Sequence, residues 1–170
     1  MTPRRDREMR IREFLAAPPF NKRNISSEEI DMFSAALTHD SHSNETISKG
    51  VNEMSYERLE FLGDAVMGLA VCEYIYSNTD LSEGEMTKFK IDKVCNENIS
   101  LRVKEAGIDI DNVLLVGEGH KDKRTGRNIV EDGMRADAFE AILGAVYLLY
   151  GQDEAKRIVS EIFLQQPQRQ

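Results

Sequence analysis

Glu57-Arg58-Leu59-Glu60-Phe61-Leu62-Gly63-Asp64-Ala65-Val66 sets three carboxylates inside one of the most apolar segments of the chain. Ala136-Asp137-Ala138-Phe139-Glu140-Ala141-Ile142-Leu143-Gly144-Ala145 does the same with two. A carboxylate flanked by apolar side chains is costly to bury unless something positive sits beside it. At about 100° per residue, Glu57, Glu60 and Asp64 fall within roughly a 60° sector of one helix face. Asp137 and Glu140, three apart, share a face of a second helix, where neighbours at such spacings have Cβ atoms about 5–6 Å apart. Two such faces meeting at a helix crossing would make a four-carboxylate bowl. No Lys or Arg is spaced to pair with all of these acids, so a divalent cation is the simplest partner. Hard oxygen ligands suit Mg²⁺ or Mn²⁺ rather than zinc. A solvated helix face is the competing reading of the same spacing. Gly63, Gly68 and Gly144 are placed to let helix backbones approach closely, and ordinary packing is equally compatible with them.

Working outward, almost every informative segment has helical period. Ser55 to Ser77 reads as a long, central, buried helix and Val130 to Tyr150 as a second, ended by Gly151. Arg4 to Ala16 is charged and amphipathic, and Pro18-Pro19 stops it. Ser26-Ser27-Glu28-Glu29 has the spacing of a capping box, with the helix running toward His39. Ser41 to Met54 is polar and reads as a loop. Ser82 to about Ala106 is helical with a break near Asn96, and Gly107 stops it. Val113 to Val116 reads as an extended connector, and Gly117 to Gly126 as a loop. Asp153 is placed to cap a last helix reaching about Leu164. The sum is an all-α helical bundle of seven helices around one core. The divisions are a charged helical extension over 1–25, a domain over 26–164 and a disordered polar tail over 165–170.

The chain has 170 residues, 41% of them hydrophobic, with a formal net charge of −8. That suits one domain with a real core and argues against a simple basic nucleic-acid binder. It leaves room for an enzyme that holds cations in an acidic site. Cys72 and Cys95 form no metal-binding pair and read as buried free thiols of a reducing compartment. The charged N-terminus lacks a signal-peptide core, and the longest apolar run, Ala141 to Tyr150, is too short to span a bilayer. A soluble, cytoplasmic protein with no membrane partner is expected.

The block from Glu57 to Val66 closely resembles the signature of the ribonuclease III endonuclease domain. The likeness continues in Ala36-Leu37-Thr38-His39-Asp40-Ser41, in Ser82-Glu83-Gly84-Glu85-Met86-Thr87-Lys88, and from Arg135 to Tyr147, in the family's order and spacing. The resemblance implies an all-α, homodimeric, Mg²⁺-dependent endonuclease acting on double-stranded RNA. It places Glu60, Asp64, Asp137 and Glu140 at the family's metal ligands and catalytic acids. It also places Glu57 and Glu83 at two supporting acids, and Phe61 at a dimer-interface aromatic, for which a core residue is the alternative. Metal-activated water would attack phosphorus in line, leaving 5′-phosphate and 3′-hydroxyl ends, and each subunit would cut one strand. Candidate phosphate contacts are Arg58, Lys88, Lys90 and Lys93, with a second set at Lys121, Lys123, Arg124 and Arg127. A solvated surface charge is the alternative for each. His39, inside the Leu-Thr-His block, reads as structural.

Several positions depart from the family pattern. Nothing after the last helix resembles a double-stranded-RNA-binding domain, so modest and steeply salt-dependent RNA affinity is expected. The link from Ser43 to Tyr56 is long, and Met54-Ser55-Tyr56 precedes Glu57 where asparagine is common. Two other classes of function compete with the enzyme. One is a catalytically silent, RNA-binding or ribosome-associated member of the fold, which loss of a metal ligand would mark. The other is a helical dimerisation module, which leaves both acidic clusters unexplained.

Overall fold

The computed structural model describes residues 3–51 and 53–164. Among these residues nine α-helices run in chain order: α1 Pro3–Ala16, α2 Ser27–Ala36, α3 Asp40–Ile47, α4 Glu57–Asn78, α5 Glu83–Val94, α6 Asn96–Glu105, α7 Ile110–Val113, α8 Asp132–Tyr150 and α9 Gln152–Val159. A single 3₁₀ turn, Glu118–His120, and a closing π turn, Ser160–Leu164, complete the described residues. The all-α expectation holds. Strand-like pairing among the described residues is confined to isolated bridges, Thr38 with Leu115 and Lys121 with Asn128.

Local chemistry sets the element ends. Ser26 and Glu29 form the reciprocal capping box of α2: the Ser26 hydroxyl accepts from Glu29 N (3.2 Å) and Glu29 Oε2 accepts from Ser26 N (2.7 Å). Gly107 and Gly151 follow the ends of α6 and α8 with φ of +71° and +86°, a backbone region open to glycine at little cost. The break between α5 and α6 falls at Cys95, whose extended backbone separates two helical runs.

The helix at the centre is α8. From Met134 to Val146 it is buried at every position except Asp137, which is half-buried, and it packs against α2, α4, α6, α7 and α9. α1 belongs to the same core, through the fully buried Ile11 and Leu15. The Arg7 guanidinium ties α1 down by donating to the carbonyls of Leu37 and Val113.

Several expectations are corrected. α4 is not buried all round: Phe61, Leu69 and Tyr76 stand on an open face. Apolar periodicity marks a face that avoids water without saying what covers it. The segment expected as a loop from Ser41 contains α3, begun by His39, whose Nδ1 accepts from Ser41 N (3.0 Å). Its residues are mostly polar, so it carries little apolar signal. Gly151, not Asp153, holds the cap position of α9, with Asp153 inside the first turn. Among the described residues the helices number nine rather than seven, because α3 and the four-residue α7 escape a periodicity reading. Cys72 is exposed and Cys95 half-buried, and both are free thiols. The tail expected to be disordered, 165–170, lies outside the described residues. No described helix is long and apolar enough to cross a membrane.

Candidate metal centre

The site lies where α4 crosses α8. A Cβ on Gly63 would overlap the carbonyl oxygen of Glu140, and one on Gly144 would overlap that of Leu59. The two backbones therefore touch, and the acids on either side of the crossing converge. Gly68, the third candidate, faces only the end of the Lys90 side chain, 3.5 Å from where its Cβ would stand.

Glu60 from α4 and Asp137 and Glu140 from α8 each direct one carboxylate oxygen into a common space, all within 4.8 Å of one another. Glu140 is only 5% exposed. Its carboxyl is pushed up to about 8, first by burial and then by the charges of Asp64, Asp137 and Glu60. Glu60 is raised by burial and by Asp137, Glu57 and Asp64. Burial also raises Asp137, against the opposing pull of the Tyr56 hydroxyl, His39 and Asn96. The cationic side chains near α8 are engaged elsewhere: Arg135 pairs with Asp111 and Asp132, and Lys104 with Asp132. Among the described residues none of these five acids has an ion-pair partner, so the cluster is like charge against like charge. Three hard oxygen donors at this spacing, with no cation of the chain's own, fit an Mg²⁺- or Mn²⁺-type ion.

The other expected site residues are distributed around this triad. Asp64 is exposed and outside the 4.8 Å group, though near enough for its charge to raise Glu140 and Glu60. Glu57 is exposed in the first turn of α4 and accepts from the Ser55 hydroxyl (2.9 Å). Glu83 opens α5 and accepts from Thr87 (3.1 Å). It borders a groove of about 410 Å³ with Cys72, Tyr76 and Met86, and is not among the clustered acids. Phe61 is 82% exposed, so it is not a core residue of this chain.

Among the basic candidates, Arg58 and Lys88 are exposed, while Lys90 and Lys93 are half-buried. Lys93 lies 5.2 Å from the Phe89 ring centre. Lys121 pairs with Glu118 (2.5 Å). Lys123, Arg124 and Arg127 are exposed on a turn that Asp122 folds by accepting from Arg124 N, Thr125 N and the Thr125 hydroxyl.

Sequence reasoning missed two neighbours of the triad. The Tyr56 hydroxyl donates to Asp137 Oδ2 (3.5 Å), and Asn96 Nδ2 donates to Asp137 Oδ1 (3.4 Å). His39 packs edge-on against the Tyr56 ring, centres 5.4 Å apart, in keeping with a structural part. Burial holds its imidazole below the ordinary value. Tyr56 was visible only as an unusual residue in front of Glu57.

A protein-family model described as Ribonuclease-III-like matches residues 29–166. A protein named Ribonuclease 3 from Aster yellows witches'-broom phytoplasma is 38% identical over 145 residues, covering 85% of this chain and 57% of that protein. One of the same name from Caldanaerobacter subterraneus is 37% identical over 144 residues, covering 84% and 59%. The chain thus spans under two thirds of the length of these relatives. Among solved structures, the nuclease domain of ribonuclease III from Campylobacter jejuni superposes with a TM-score of 0.65 at 26% identity, covering 82% of this chain and 91% of that one. That domain is described as structurally flexible in a region involved in dimer formation. With most of its length matched by the family and its fold shared with a solved nuclease domain, this chain belongs to the ribonuclease-III-like family.

Proposed function

We propose that this chain is a divalent-metal-dependent endoribonuclease that hydrolyses double-stranded RNA to 5′-phosphate and 3′-hydroxyl ends, acting as a homodimer in which each subunit cuts one strand. The observation that carries the reading is the convergence of Glu60, Asp137 and Glu140 within 4.8 Å with, among the described residues, no cationic side chain paired to them. These three would hold the ion, with Asp64 at the open edge as a fourth ligand and Glu57 and Glu83 as supporting acids. A divalent ion bound there supplies activation of water at neutral pH and neutralises charge developing at phosphorus. The chain's own part is to hold the acids in place around that ion and to seat the phosphates.

Arg58, Lys88, Lys90 and Lys93 flank the acids in sequence on α4 and α5, and the turn carrying Lys121, Lys123, Arg124 and Arg127 supplies exposed positive charge in a chain of net charge −8. Duplex RNA offers phosphates and 2′-hydroxyls across a shallow minor groove, so shape and backbone contacts suffice for recognition. The open face of α4, carrying Phe61, Leu69 and Tyr76, is the surface a second subunit would cover.

Digestion of a long RNA duplex with Mg²⁺, against an EDTA control, tests the reading. Cleavage with Mg²⁺ and none in EDTA is expected, and full activity in EDTA would overturn it.

A further inference from the structure

We propose that Tyr56 and Asn96 are positioning residues which together fix both oxygens of Asp137 in the orientation that faces a bound divalent cation; this rests on the metal-site reading above. Asp137 stands beside two like charges, Glu60 and Glu140. A half-buried carboxylate so placed would swing away unless something holds it. The Tyr56 hydroxyl reaches Oδ2 and the Asn96 amide reaches Oδ1. Both donors are neutral. A lysine or arginine in their place would orient the carboxylate and also neutralise it, competing with the cation. Neutral donors fix the geometry and leave the charge available.

Tyr56 is itself firmly held. It is 4% exposed, its ring meets His39 edge-on, and its N–H donates to the Thr38 carbonyl (2.9 Å). Its carbonyl accepts from Leu59 N and Glu60 N, both at 2.9 Å, which begins α4. One residue thus sets the helix turn carrying Glu60 and, through its hydroxyl, the orientation of Asp137 on α8. Asn96 is the first residue of α6, just past the break at Cys95, so three helices converge on one carboxylate. Groups that orient a metal ligand from behind commonly change metal affinity by about 10–100-fold when removed.

The protein has five tyrosines and no tryptophan, so lanthanide luminescence excited through the protein arises from tyrosine. Terbium(III), a hard oxygen-seeking ion, is titrated into the full chain and into Tyr56→Phe, Asn96→Ala and Glu140→Gln. Tyr56→Phe is expected to weaken Tb³⁺ binding by about tenfold and to lose most of the saturating emission. Asn96→Ala, at an exposed position that tolerates the change, is expected to weaken binding by about tenfold while keeping the emission at saturation. Unchanged affinity in either variant, or wild-type emission from saturated Tyr56→Phe, overturns the proposal and leaves the metal reading standing. Should Tyr56→Phe fail to fold by circular dichroism, the affinity of Asn96→Ala decides. A wild-type chain that binds no Tb³⁺, or binds it no better than Glu140→Gln, overturns the metal reading and the proposal together.

Discussion

Gly63 lies directly against the carbonyl oxygen of Glu140, with no room between them for a methyl group. This contact fixes how closely α4 and α8 cross, and hence how near Glu60, three residues before Gly63, comes to Glu140. Gly63→Ala would force backbone atoms apart, because neither partner is a flexible side chain. A loss of about 3 kcal/mol or more is expected, together with weaker metal binding. Gly68→Ala is the contrast: it meets only the end of Lys90, and replacing a mid-helix glycine should gain about 0.5–1 kcal/mol. Thermal melts of the two variants side by side test the pair, and Gly63→Ala melting at the wild-type temperature would show that the crossing can relax.

Glu140 is the most deeply buried of the clustered acids, and Glu140→Gln keeps its shape while removing its charge. Cleavage of duplex RNA with Mg²⁺ should fall by more than about a hundredfold, since a ligand rather than its support is lost. RNA binding in a gel-shift assay and the sedimentation coefficient should remain close to wild type. Full activity of the variant would remove Glu140 from the metal site.

The same residue gives the metal-free protein an unusual pH dependence. Its carboxyl ionises near 8 when folded, against 4.5 as the ordinary value. Between those two values the folded state holds a proton that the unfolded state has released, so stability falls as pH rises through the window. The full contribution is on the order of 5 kcal/mol at most. His39, lowered by burial, acts in the opposite sense below its ordinary value of 6.5. The comparison with Glu140→Gln therefore isolates the carboxylate. In EDTA the variant should melt increasingly above wild type as pH rises from 4.5 toward 8, and Mg²⁺ should reverse the order at the upper end. Parallel melting curves across that range would show that Glu140 carries no such strain.

What was legible in the sequence follows from how far each signal travels along the chain. The helices α4 and α8, the capping box at Ser26 and the stops at Gly107 and Gly151 are written in neighbouring residues. So is the pairing of acids on each helix face. The clustering of α4 acids with α8 acids was only conditional on a crossing, and Gly63 and Gly144 turned out to set it. Tyr56 and Asn96 reach Asp137 from 81 and 41 residues away, where no local spacing betrays them. α3 was hidden by its polar composition.

The open face of α4 shows the same limit and leads to a last expectation. Phe61, Leu69 and Tyr76 are 82%, 48% and 80% exposed, with Ala65 and Cys72 between them at helical spacing. In sequence this stripe is indistinguishable from the core stripe on the opposite side of the helix. Left in water, so continuous an apolar surface favours association, and a central aromatic commonly anchors such an interface. Phe61→Ala should therefore weaken self-association by about 2 kcal/mol, roughly thirtyfold in dissociation constant. The isolated subunit should be little affected, because the Phe61 ring supports almost nothing within it. Sedimentation velocity over a range of micromolar concentrations separates the two effects. A wild-type chain that stays monomeric throughout would show that this face does not pair two copies, and would take the paired-strand mechanism with it.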